Sequence, residues 1–203
     1  HKALRGVIAT KLAEQLVAGH RSALVMIGRG GMGKSAALNE VARVADAHGL
    51  PVRWARGQRL NRDDAFAAVE DHLDDELVER LIVEATRGDL RAARRQLIEG
   101  LEPGVLIAEN TQWMDRASLG LLASVATRVD AAGLRMAVAL RPRAADPELA
   151  ALTELLTRDA RPEIVNHLGE DDAQALLQHG ALAPKFDSEL SRVAVLTSGA
   201  FFL

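Results

Sequence analysis

A cluster of four glycines, one lysine and one serine occupies residues 28–35, which read GRGGMGKS and follow the apolar run ALVMI at 23–27. The segment matches the pattern GxxxxGK[ST] at every fixed position, directly after a predicted strand and directly before a predicted helix. Glycines permit positive φ values and a close approach of the backbone, so that successive N–H groups can point at one anion. The helix that follows contributes the positive end of its dipole. These residues therefore predict a loop that binds the phosphates of a nucleotide.

The lysine and serine at the end of this loop have predicted roles in binding ATP or ADP with Mg²⁺. Lys34 is expected to reach the β- and γ-phosphates, and the Ser35 hydroxyl is expected to bind Mg²⁺. The alternative is a glycine-rich turn with a solvated lysine, which the strand before it and the helix after it argue against. The predicted nucleotide contacts are Gly28, Arg29, Gly30, Gly31, Met32, Gly33, Lys34, Ser35 and Ala36.

The elements that must position this loop are short apolar runs that alternate with long segments of helical pattern. The runs lie at 23–27, 51–55, 104–109, 134–140 and 163–168. Such alternation predicts an α/β fold in which a parallel sheet of about five strands is covered by helices on both faces, giving three layers. The helical patterns lie at 35–47, roughly 62–97, 117–129 with Asp115 as its N-cap, and 147–156.

The pattern changes after residue 168, where no further strand is predicted. The segments GEDDAQALLQHGAL and SELSRVAVLTSG have helical patterns, with Gly180 and Pro184 between them. We therefore divide the chain into a nucleotide-binding core at 1–168 and the start of a helical lid at 169–203. Because the sequence ends on the apolar residues FFL, we expect it to be part of a longer protein.

The composition excludes several classes of site. Among the 203 residues there is no cysteine, which rules out disulfides and zinc-thiolate sites and makes a cytoplasmic location the default expectation. The net charge of -3 gives no general attraction to nucleic acid or to a membrane surface. No apolar run has the length of a membrane span, and the six histidines lack metal-binding spacing. No metal site is therefore expected beyond Mg²⁺ bound with the nucleotide.

A second segment, GVLIAENTQWMDR at 104–116, indicates which class of phosphate-loop protein the sequence resembles. It resembles a stretch of the STAND-class signalling ATPases, and within them of the large ATP-binding transcriptional regulators of the LuxR type. Their stretch reads hhhhDDxxWxD before an amphipathic helix, and Trp113, Asp115 and the helix from Ala117 match it. The resemblance continues in the segments 49–73, 135–143 and 198–203, so it covers nearly the whole chain, and it implies an AAA-like P-loop NTPase fold.

Counting back from Trp113, the resemblance puts Glu109 where the family has its Mg²⁺-binding aspartate and Asn110 where it has a second acid. In the alternative register, Glu109 is the catalytic acid and Ala108 stands at the metal position. One acid is lost in either register. Since a carboxamide cannot accept a proton at neutral pH, Asn110 marks a degenerate base position and predicts weak or absent hydrolysis.

Two further positions follow from the resemblance. Arg141, at the end of the fourth predicted strand, is similar to the family's sensor arginine, which would face the γ-phosphate. Gly199 matches a turn of the family, but Ala200 and Phe201 replace its Asn and Pro, which removes the adenine contacts expected from that turn.

Two functions remain open from the sequence. The first is an ATP- or ADP-binding switch domain of a multidomain signalling or transcriptional regulator; the second is an active ATPase whose hydrolysis resets such a switch. The expected partners are the C-terminal domains of the same full-length chain, and a second copy of the protein in a nucleotide-dependent manner. DNA would be bound only through a helix-turn-helix outside these residues.

Overall fold

The helices and strands of the protein come from a computed structural model, which describes residues 2–27, 33–70, 74–101, 103–129, 133–141, 147–157, 161–166 and 192–198. The helices are α1 (Lys2–Val17), α2 (Lys34–Ala47), α3 (Ala67–Glu70), α4 (Asp75–Thr86), α5 (Leu90–Leu101), α6 (Arg116–Ala126) and α7 (Pro147–Thr157). The strands are β1 (Ala23–Ile27), β2 (Val52–Arg56), β3 (Gly104–Glu109), β4 (Leu134–Leu140), β5 (Arg161–Asn166) and β6 (Arg192–Ser198). Two 3-10 turns lie at Arg59–Asn61 and Thr111–Trp113.

The strands form one sheet in the order β2-β3-β4-β1-β6-β5. The neighbours β2, β3, β4 and β1 are parallel, whereas β6 is antiparallel to both β1 and β5. Every residue of β3 except the last is buried, as expected for a strand that is covered on both faces. The predicted α/β class is thereby confirmed, and four neighbouring strands of the sheet are parallel.

Side chains that alternate along the strands contribute to two separate hydrophobic cores. On one face, Leu106 and Ala108 of β3 join the buried side chains of α4 to α7. On the other face, Val105 and Ile107 pack with α1 and α2. Because successive side chains of a strand point to opposite faces, one apolar run supplies both cores. Helices therefore cover both faces of the sheet, as predicted.

The continuous helical segment predicted over roughly 62–97 is wrong, because α3, α4 and the first part of α5 lie there as three separate helices. Phe66 has a positive φ of 67°, so the backbone is not helical immediately before α3. Gly88, with φ 79°, follows the end of α4. The Asp89 side chain then accepts a hydrogen bond of 2.9 Å from the backbone N–H of Ala92, and so begins α5. Helical periodicity alone does not detect such breaks.

The helix predicted within SELSRVAVLTSG is also wrong over Arg192–Ser198, which is the strand β6. This stretch is rich in β-branched residues, and its backbone pairs with the side of β1 that β4 leaves open. The sheet accordingly has six strands in the described residues, and it is not parallel throughout. The segment 167–191, with the other predicted lid helix, lies outside the described residues, so the division at 168 stays a prediction.

Candidate anion-binding site

Three of the predicted site residues come from separate segments that meet at the carboxyl ends of the parallel strands. Strands β1, β3 and β4 are parallel neighbours, so their carboxyl ends lie side by side. Glu109 is the last residue of β3, Arg141 follows β4, and Lys34 begins the helix after β1. The carboxyl ends of the strands are the usual place for ligands in open α/β sheets. Residues 28–32 of the predicted loop, which are Gly28, Arg29, Gly30, Gly31 and Met32, lie outside the described residues.

Gly33 ends the loop in the backbone conformation for which a glycine was predicted. Its φ and ψ are 89° and 8°, in the left-handed region, and it precedes α2 directly. The space around it is open, since no atom lies within 4 Å of the place of a Cβ. The backbone conformation rather than crowding therefore favours glycine. In the first turn of α2, Lys34 is half-buried, and Ser35 and Ala36 are exposed.

Lys34 and Arg141 place two positive charges close together. Burial of the ammonium group and the neighbouring guanidinium of Arg141 both lower the pKa of Lys34, with burial the larger cause. A half-buried cation that faces a second cation is destabilised in its charged form, and an anion between the two would relieve that repulsion. Lys34 is the first residue of a 14-residue helix, at whose N-terminus backbone N–H groups also favour negative charge. This arrangement can bind a phosphate group.

Glu109, the predicted Mg²⁺ ligand, forms an ion pair with Arg56. The Nε of Arg56 lies 3.3 Å from Oε2 of Glu109, whose side chain is 17% exposed. The same guanidinium stacks on Trp54, at 4.2 Å from the ring centroid. Arg56 and Glu109 are register partners at the ends of β2 and β3. Arg56 was not among the predicted site residues, although it ends β2, the strand that comes before β3 along the chain.

Asn110 adopts a left-handed backbone conformation, with φ 54° and ψ 39°. Asparagine is one of the few residues other than glycine that tolerate this region. The turn that begins at Asn110 lies very close to Gly57. A Cβ added to Gly57 would lie 2.3 Å from the carbonyl oxygen of Asn110. The N–H of Gly57 donates to the carbonyl of Glu109 at 2.9 Å. Asn110 is thus an exposed residue on a turn whose backbone is closely held against the end of β2.

The next two residues bond this turn to the end of β4. The buried Thr111 hydroxyl donates to the carbonyl of Ala139 at 3.1 Å. The side-chain oxygen Oε1 of Gln112, a residue that is 3% exposed, accepts a hydrogen bond of 2.9 Å from the backbone N–H of Arg141. These contacts could not be predicted from the sequence, because they join segments that are distant along the chain.

The Trp-x-Asp pair has structural contacts. The Asp115 carboxylate is 2% exposed and accepts hydrogen bonds from the N–H groups of Ser118 at 2.8 Å, Phe66 at 2.9 Å and Ala68 at 3.2 Å. Its predicted role as the N-cap of α6 is confirmed, and the same side chain also holds the start of α3. The Trp113 ring carries the guanidinium of Arg59 at 5.3 Å from its centroid.

Neither a metal site formed by protein side chains alone nor a membrane-spanning helix occurs in the described residues. Among these residues, no group of three or more histidine or acidic side chains could hold a metal ion by itself. None of the helices in the same part of the chain combines the length and the apolar character needed to cross a membrane. Gly199, Ala200 and Phe201, to which the resemblance assigned a turn, lie outside the described residues.

Comparison of the chain with protein-family models, with curated proteins and with solved structures found no match.

Proposed function

We propose that this chain is a nucleotide-binding switch domain, which binds ATP or ADP with Mg²⁺ and hydrolyses ATP weakly or not at all. The observation that carries the proposal is that Lys34, the first residue of α2 after the left-handed Gly33, interacts electrostatically with Arg141 at the end of β4. The regulator to which such a domain would belong is of the STAND class, with its nucleotide controlling the domains attached to it.

A polyphosphate suits the residues at the carboxyl ends of these strands. Lys34 loses part of its hydration and faces Arg141, so both side chains gain from a ligand of several negative charges. The left-handed Gly33 supports the conformation that a GxxxxGK[ST] loop needs. A single carboxylate would neutralise one of the two cations but would leave the sequence of glycines before them without a role. These features together favour the phosphates of a nucleotide.

The residues that would hold Mg²⁺ are Ser35 and Glu109. The exposed Ser35 offers a hydroxyl in the first turn of α2, and Glu109 offers a carboxylate at the end of β3. Both are hard oxygen ligands of the kind that Mg²⁺ prefers. When bound, Mg²⁺ would neutralise charge on the phosphates. The ion pair with Arg56 occupies Oε2 of Glu109, so metal binding competes with that guanidinium.

Sensing is favoured over turnover by the residues beside Glu109. Asn110 cannot take a proton from water at neutral pH, and Glu109 is held by Arg56. Arg141 would contact the terminal phosphate and so distinguish ATP from ADP. A ligand that binds two arrangements of a protein with different affinity shifts their populations without being consumed.

Calorimetric titration with MgATP and MgADP tests the binding proposal. Lys34→Ala removes a charged hydrogen-bond donor, and we expect it to weaken binding by about 2 to 3 kcal/mol, a roughly 30- to 150-fold change in Kd. Lys11→Ala, an exposed lysine on α1, is the matched control and should leave the affinity unchanged. Equal affinities of wild type and Lys34→Ala would refute the assignment of the loop.

A phosphate-release assay on the same proteins separates the switch from the active ATPase. We expect wild type to release phosphate at or near the background rate while binding MgATP. Fast release that Lys34→Ala abolishes would instead establish the chain as an ATPase.

A further inference from the structure

The turn after β3 is the link between the acidic and the basic parts of the proposed site. It begins at Glu109 and Asn110, and its next two side chains reach the end of β4. Of these two contacts, the one from Gln112 acts on Arg141 itself, through the backbone N–H at 2.9 Å. Arg141, which follows β4, is therefore anchored by a residue of the turn that follows β3.

We infer that Gln112 is a positioning residue for the anion site, because its buried side chain accepts a hydrogen bond from the backbone N–H of Arg141 and so fixes the backbone from which the arginine extends. This inference rests on the proposed function, in which Arg141 binds phosphate. Gln112 itself is not required to contact the ligand.

The position of Arg141 explains why such an anchor matters. The last residue of β4, Leu140, is held in register opposite Ile27 of β1, and Arg141 is the first residue beyond that pairing. The arginine side chain is long and exposed, so without a fixed backbone its guanidinium would sample many positions. The Arg141 N–H donates a hydrogen bond to the buried side chain of Gln112, which restricts the backbone from which the arginine side chain extends. The guanidinium is thereby kept where it acts electrostatically on Lys34.

The contact also connects the two halves of the site. Gln112 lies on the same short turn as Glu109, and the carbonyl of Glu109 is in turn bonded to the N–H of Gly57. Because the turn is bonded at both sides, displacement of Glu109 would be transmitted to the backbone of Arg141. A change at the acid can thus alter the position of the arginine.

A double-mutant cycle on the full chain tests the inference, with inorganic tripolyphosphate as the titrated anion. Gln112→Met keeps a side chain of similar length but lacks the acceptor, and we expect a roughly threefold to tenfold loss of affinity. In the Arg141→Ala background the same substitution should change the affinity less than about twofold, because the guanidinium that it displaces is gone. Leu97→Ala, a buried leucine on α5, controls for a general loss of stability and should leave the affinity unchanged.

Hydrogen exchange of the Arg141 amide provides a readout in the absence of any anion. We expect faster exchange in Gln112→Met than in wild type or in Leu97→Ala. Equal exchange in all three, or a Gln112→Met effect on affinity that is the same with and without Arg141, would overturn the inference while leaving the proposed function in place. Failure of wild type to bind tripolyphosphate at all would overturn the proposed function, and this inference with it.

Discussion

At the scale of single residues, the backbone conformation of Asn110 limits which side chains can stand at the proposed base position. Its φ of 54° restricts the position to glycine, asparagine or aspartate at low cost. Among these three, only aspartate carries a carboxylate that could accept a proton from water. The turn would therefore accommodate the missing acid without rearrangement, and the amide found there is not forced by the fold.

We predict that Asn110→Asp raises the rate of ATP hydrolysis and leaves the affinity for MgATP nearly unchanged. A general base contributes roughly 10²- to 10⁴-fold to a rate, so even partial restoration is measurable by steady-state phosphate release. Asn110→Gly is the control, because it satisfies the left-handed backbone without supplying a carboxylate. If the aspartate and glycine variants hydrolyse ATP equally, Asn110 does not occupy a base position. Asn110→Glu supplies the acid with a side chain less suited to this backbone, so we expect a smaller gain.

At the scale of helices and strands, Asp115 connects elements that the sequence separates widely. One carboxylate caps α6 and accepts two more hydrogen bonds from the chain at Phe66 and Ala68. Phe66 has a positive φ, which is unfavourable for a bulky residue and has to be offset by neighbouring contacts. The aspartate of the Trp-x-Asp pair thus holds in place a segment that periodicity alone would make helical.

Substitution of Asp115 tests this role by urea unfolding. We predict that Asp115→Ala lowers the free energy of unfolding by about 3 kcal/mol, because three N–H groups, two of them in buried hydrogen bonds, lose their acceptor. Asp115→Asn keeps one acceptor oxygen and should cost roughly half as much. Asp89→Ala, which removes an exposed cap with one hydrogen bond, is expected to cost about 1 kcal/mol. Equal losses for the two alanine variants would contradict a bridging role for Asp115.

The same elements show what could be predicted from the sequence and what could not. The strands β1, β3 and β4 have the predicted bounds, because each is a continuous apolar run that a buried strand requires. The start of α2 directly after the glycines and the cap at Asp115 were predicted, since their signals are local. The contacts of Arg56 and Gln112 depend on which strands are neighbours and on their register. Neither is encoded in the spacing of residues along one segment.

At the scale of the whole molecule, the helices that cover one face of the sheet also support the proposed site. Helices α1 and α2 pack against each other and against buried residues of β1, β3 and β4. A polar contact joins the two helices, in which the Thr10 hydroxyl of α1 donates to the Glu40 carboxylate of α2. Arg43 pairs with the same carboxylate through two hydrogen bonds of 2.9 and 2.7 Å. Since α2 begins at Lys34, this contact ties the site to the rest of the layer.

The Glu40 contact predicts a dependence of stability on pH. Hydrogen bonds from Arg43 and Thr10, in that order, lower the pKa of Glu40 from 4.5 to about 2. A carboxyl group with a lowered pKa in the folded state contributes stability that is fully present above its unfolded pKa. That contribution is lost as the pH falls from 4.5 through about 2. The unfolding free energy of wild type should therefore decline over this window.

Urea unfolding of wild type and Glu40→Gln at a series of pH values from neutral to acid measures this effect. We expect Glu40→Gln to be less stable than wild type at neutral pH, and the difference to shrink as the pH falls from 4.5 toward 2. High salt should reduce the neutral-pH difference, because Arg43 is exposed. Glu76→Gln, which removes an exposed pair with Arg80, is the control and should change stability little at any pH. A constant difference between wild type and Glu40→Gln across the acid range would mean that the carboxylate charge does not stabilise the packing of α1 on α2.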